Sequence, residues 1–132
     1  MNVLDENIPE DQRQLLRRWR VPMRQVGQDV GHKGLADAAI IPLLRQLSRP
    51  TFFTRDDDFY DRALCHSDYC LAFLAVAEED VANFVRRFLQ HPAFGTYARR
   101  RGTVARVGHA GIRVWRVHHA TEDTVRWLVP VK

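Results

Sequence analysis

Short apolar runs alternate with amphipathic stretches along the chain, and each change of period marks a change of element. Met1 to Leu4 is apolar and ends abruptly at Asp5, Glu6 and Asn7. Pro9 stands where a helix begins, and Leu15, Leu16 and Trp19 follow at helical spacing. Val21 to Val26 alternates apolar with polar, which predicts a second strand. Gly27 to Gly34 (GQDVGHKG) holds three glycines and reads as a loop. From Leu35 a second helical face runs through Ala39, Ile40, Leu43, Leu44 and Leu47. Asp37 lies near its start, where a carboxylate serves orphan amides and the helix dipole. Pro42 removes a hydrogen bond from that helix, so a distortion is expected there. After Pro50, Thr51 to Thr54 (TFFT) reads as a buried strand. It runs into Arg55 and an acidic knot of Asp56, Asp57, Asp58 and Asp61.

After Phe59 and Tyr60, the stretch to Tyr69 predicts a short helix and a loop. Cys70 to Val76 is a continuous apolar run of the kind found in the middle of a parallel sheet. Glu78 to Gln90 is the clearest helix: its first turn is acidic, and Val81, Phe84, Val85, Phe88 and Leu89 form its apolar face. Arg106–Val107 and Ile112 to Val117 pair as a hairpin around Gly108–Gly111. Thr121 to Val131 reads as a last strand or a docked extension. The order predicts an α/β doubly wound fold in three α/β/α layers, with a mostly parallel central sheet and a C-terminal hairpin.

Ligands of such sheets sit beyond the carboxyl ends of the strands. Asp5 follows the first strand and Asp56 the third, so both are expected at one edge. Asp37 joins them only if the connectivity brings it there. Converging carboxylates repel one another, and a divalent cation is the usual balance. Oxygen-only donors favour Mg²⁺ or Mn²⁺ over zinc. The plainer alternative is helix caps and a solvated loop.

Three motifs bear on that choice: LDEN (Leu4–Asn7), Leu35–Ala36–Asp37 and TRDDDF (Thr54–Phe59). In this order and spacing they resemble a PIN-like domain, and specifically its short standalone bacterial and archaeal branch, similar to VapC-type toxins. The resemblance covers roughly the first 60 residues. It implies a PIN-like α/β/α fold and metal-dependent cleavage of RNA. Asp5, Asp37, Asp56 and Asp58 are then the catalytic carboxylates, with Asp5, Asp56 and Asp58 on the metal. Asn7 and Thr54 would orient carboxylates by hydrogen bonding. A role as the toxin partnered by a small antitoxin protein follows from the same likeness. The alternative is a PIN-like module without turnover, acting in RNA binding or protein interaction.

The chain has 132 residues, the size of one domain, spanning 1–132. With 45% hydrophobic and 27% charged residues it is not a disordered chain. No apolar run approaches the roughly 20 residues of a membrane span. Asp5 and Glu6 stand where a signal peptide is basic, so a cytoplasmic location is expected. The net charge of +4, with arginine as the dominant base, suits an anionic partner such as RNA. Arg13, Arg17 and Arg20 recur at helical spacing, either as an RNA-binding face or as an ordinary solvated one. Arg99 to Arg101 read as an exposed loop. Cys65 and Cys70 read as reduced thiols in or near a core. Of the histidines, His32 alone is expected near the carboxylates, and no Gly-rich nucleotide motif is present. Trp115, Trp127, Leu128 and Val129 are expected to finish the core, or else to cover a homodimer interface.

Overall fold

The computed structural model describes residues 1–128 and contains seven strands: β1 (Asn2–Leu4), β2 (Arg24–Gln25), β3 (Thr51–Thr54), β4 (Cys70–Leu74), β5 (Thr103–Gly108), β6 (Gly111–Arg116) and β7 (Asp123–Val125). They form one sheet in the order β2-β1-β3-β4-β5-β6-β7. Pairing is parallel from β2 through β5 and antiparallel across β5, β6 and β7. The helices are α1 (Glu10–Arg18), α2 (Ile40–Gln46), α3 (Val81–Gln90) and the single turn α4 (Tyr97–Arg100).

Both faces of the central strands are covered, which is why they read as unbroken apolar runs. In β3 successive side chains alternate sides. Phe53 joins Leu4, Leu16, Phe84 and Phe88 in the core under α1 and α3, while Phe52 joins Val3, Ile40 and Leu44 under α2. Each fully buried phenylalanine contributes about 1.5 to 3 kcal/mol by leaving water. The helices on opposite faces give three α/β/α layers. One buried polar contact locks the first layer: Gln12 Oε1 in α1 accepts from the Ala82 amide at the head of α3, at 2.9 Å.

The expected helix from Leu35 begins later. A 3₁₀ turn spans Asp37–Ala39, and α2 starts at Ile40. Pro42 is therefore its third residue, where the amide would have had no intrahelical partner, so the proline costs nothing. The second strand shrinks to two residues because the chain turns at Gly27, with φ of +89°. Of Arg99 to Arg101, expected as an exposed loop, Arg99 and Arg101 are exposed and Arg100 is not. Arg99 and Arg100 lie in α4, capped by Thr96, and Arg100 is buried with bonds to Thr51 Oγ1 (3.0 Å) and the Phe94 carbonyl (2.7 Å).

Trp127 packs against the α1–α3 core and its indole donates to the Gly108 carbonyl at 2.7 Å. Trp115 lies half-buried on the α2 side, and Leu128 is exposed. Val129, part of the same expectation, lies outside the described residues, as does the end of the tail. Among the described residues no helix is long and apolar enough to cross a membrane.

Candidate metal centre

The sheet order reverses between β1 and β3: from β1 the chain goes outward to β2, then returns to β3 on β1's other side. A crevice opens at such a switch point beyond the carboxyl ends of the strands. Asp5 leaves β1 there and Asp56 lies two residues past the end of β3.

The Thr54 hydroxyl joins them. It donates to Asp5 Oδ2 at 2.6 Å and accepts from the Asp56 amide at 3.0 Å. Asp5 Oδ1 accepts from the Glu6 amide at 2.8 Å. Burial nonetheless holds the Asp5 carboxyl above its ordinary range, and repulsion from Asp37 and Asp56 pushes the same way. Asp37 therefore acts on the centre electrostatically, although its side chain is exposed at the head of the 3₁₀ turn.

Asp56 caps the next turn, Asp57–Phe59, with Oδ1 accepting from the Asp58 amide at 2.9 Å. One oxygen from each of Asp56, Asp57 and Asp58 lies within 4.8 Å of the others, and among the described residues this is the one such group of three. A single cation about 2.0 to 2.6 Å from each oxygen spans that separation. Asp57, absent from the expected metal ligands, belongs to this group, and Asp5 lies outside it. The donors are all carboxylate oxygens, a set that could hold a hard metal cation.

Glu6 has a different task. Both its carboxylate oxygens accept the Gly34 amide, at 2.9 and 3.0 Å, and fasten the glycine-rich loop to the corner after β1. A side chain at Gly27 would meet this carboxylate at 3.3 Å. Gln25, buried in β2, braces the same corner: its amide nitrogen lies 3.2, 3.3 and 3.0 Å from the carbonyls of Asp5, Glu6 and Ile8. No motif signalled that role; a glutamine inside a strand next to a glycine loop was the only cue. Asn7 is exposed and its amide makes no hydrogen bond among the described residues.

Arg13 and Arg17 lie in α1, and Arg20 lies just beyond its end. Arg13 pairs with Asp29 at 3.0 Å and donates to Gln28. Arg17 and Arg20 are exposed and, with Arg13 and Arg24, line a cavity of about 410 Å³ that also includes Met1 and Asn2, at the opposite end of β1 from Asp5. Arg55 turns away from the acidic knot to the Val76 carbonyl (3.0 Å) and Glu78 (3.6 Å). His32 is exposed beside Lys33 and touches none of the carboxylates. Burial raises both thiols, Cys70 to about 11, so neither is a thiolate near neutrality.

The chain matches no family model, no curated protein and no solved structure.

Proposed function

We propose that this protein is a metal-dependent ribonuclease of PIN-like type. The observation that carries the reading is the Thr54 hydroxyl, which binds the Asp5 carboxylate and the Asp56 amide at once and so ties the two aspartates together at the switch point of the sheet. The motif resemblance supplies the substrate class.

Asp56, Asp57 and Asp58 would hold a Mg²⁺ or Mn²⁺ ion, with Asp5 facing it from β1. Such an ion, when bound, supplies a Lewis acid for the phosphoryl oxygens and makes water acidic enough to serve as nucleophile near neutral pH. Asp5 is suited to take up a proton: its raised pKa keeps it a better base than a solvated aspartate. Thr54 and the Glu6 amide together hold the Asp5 carboxylate in one orientation for that work. Asp37 adds negative potential, and the capping bond from Asp58 orients Asp56. A toxin role, with a small antitoxin as partner, is one setting for this activity.

One observation favours a second reading. Asp5 lies outside the Asp56–Asp58 group, as it would in a binding module that keeps the acids without turnover.

The deciding experiment is cleavage of a labelled structured RNA in Mg²⁺ or Mn²⁺ and in chelator, beside an Asp56→Asn protein purified identically. Metal-dependent cutting should fall at least about 100-fold in the variant. Equal cutting by both proteins would mean a contaminating nuclease, and none by either would favour the binding module.

A further inference from the structure

Arg106 in β5 and Arg113 in β6 stand directly opposite each other in the antiparallel ladder. Like charges so placed destabilise a strand pair. Their chain neighbours Ala105, Val107, Ile112 and Val114 belong to the core under α1 and α3, so strand alternation turns both arginines to the other face. Among the described residues no carboxylate oxygen lies within 4 Å of either guanidinium, so no ion pair there meets the charge of these two arginines.

Its place in the fold is specific. A Cβ on Gly108 would stand 3.6 Å from Arg106 Nη1, so that guanidinium reaches the carboxyl end of β5, at the edge that carries Asp5 and Asp56. Tyr60 lies between: its amide closes the Asp57–Phe59 turn on the Asp57 carbonyl at 2.9 Å, and both arginines bear electrostatically on its hydroxyl. That hydroxyl donates to Glu122, the acid of this face. Further along, Trp115 shares the side of Arg113 and carries Arg62 over its ring at 5.1 Å.

We propose that Arg106, Arg113 and Tyr60 form the track along which single-stranded RNA leaves the carboxylate centre; the proposal rests on the ribonuclease reading and extends it. The two guanidinium groups take successive phosphates, which relieves the repulsion across the ladder. The Tyr60 ring offers a half-buried face on which a base stacks. A basic pair beside an acidic centre also solves a problem of the centre itself, since a polyanion approaching four aspartates needs compensating charge close by.

The test is fluorescence anisotropy of a labelled single-stranded RNA dodecamer with the full chain in chelator, so that binding is read without cleavage. Arg106→Gln/Arg113→Gln should weaken binding at least about tenfold. It should also reduce the slope of log affinity against log salt by about 1.4, the counterion release of two phosphate contacts. Arg17→Gln/Arg20→Gln, which removes the same charge at the opposite end of β1, should change affinity less than about threefold. Tyr60→Ala should weaken binding and Tyr60→Phe should preserve it. Unfolding curves identify a variant that fails to fold, and Arg113→Gln alone, at an exposed position, then carries the comparison.

Equal losses in the two arginine pairs, no loss in the first, or no RNA binding by the wild type would overturn the proposal. Binding that depends on Arg106 and Arg113 in a protein that never cuts RNA with metal would keep this track and sink the ribonuclease reading instead.

Discussion

Thr54 donates its hydroxyl hydrogen to Asp5 at 2.6 Å across 49 positions of sequence, and the same oxygen receives the Asp56 amide. Thr54 is fully buried, whereas Asp5 and Asp56 are part-buried. Thr54→Val should cost about 1 to 3 kcal/mol in urea unfolding, because Asp5 and the Asp56 amide both lose a partner. RNA cleavage should fall about 10- to 100-fold, since the hydroxyl orients a carboxylate. Thr54→Ser should recover most of both. Full activity in the valine variant would remove Thr54 from the centre.

The raised Asp5 carboxyl predicts a pH dependence of stability. Burial is its first cause and the neighbouring carboxylates add to it. Between the ordinary value of 3.8 and the raised one, the folded state holds a proton that the unfolded state has released. Stability contributed by this group is therefore present below pH 3.8 and lost as pH rises through the folded pKa. Melting temperatures of wild type and Asp5→Asn, measured from pH 3.5 to 8, should change relative to each other, the wild type losing ground as pH rises. Parallel curves would mean Asp5 titrates as in the unfolded chain.

A cation held by Asp56, Asp57 and Asp58 binds the folded chain in preference to the unfolded one. At 100 times its dissociation constant it should stabilise the fold by about 2.7 kcal/mol. Mn²⁺ or Mg²⁺ should raise the melting temperature of the wild type by several degrees and leave Asp56→Asn nearly unmoved. Asp57→Asn and Asp58→Asn should shift the titration to higher metal concentration. An identical response in all four proteins would place the cation elsewhere.

Arg100 is 7% exposed and bonds Thr51 and the Phe94 carbonyl, and among the described residues it makes no ion pair with a carboxylate. Arg100→Met keeps the aliphatic bulk but leaves that carbonyl without its donor. Urea unfolding should show a loss of about 2 kcal/mol, and RNA cleavage by the folded fraction should be unchanged.

Periodicity revealed most of the frame. Thr51–Thr54 is bounded by Pro50 and by charge, α3 repeats its apolar residues at helical spacing, and the glycines at 108 and 111 mark the hairpin. Each of these signals is local. The head of α2 was misread because Leu35 fits the helical period, yet the chain takes a 3₁₀ turn that leaves Pro42 unstrained. Arg100 looked like one of three surface arginines, since its partner Thr51 is 49 positions away. In the centre, Asp5 and Asp56 were legible as strand-end residues. The work of Glu6 on Gly34 and of Gln25 on the β1 corner depends on pairings no local pattern encodes.

The 49-residue separation of Asp5 and Thr54 has a consequence for timing. The acidic turn at Asp56–Asp58 is closed within three residues and needs no distant partner. Asp5 joins it only when β1 docks beside β3, after a long loop has been closed at an entropic cost. A nascent chain that has emerged as far as Tyr60 already contains every carboxylate of the centre, yet β3 still lacks β4 on its other side. Under the proposed function, the half-made chain is harmless to the RNA it is being read from, and cutting begins only with the native pairing of the first and third strands.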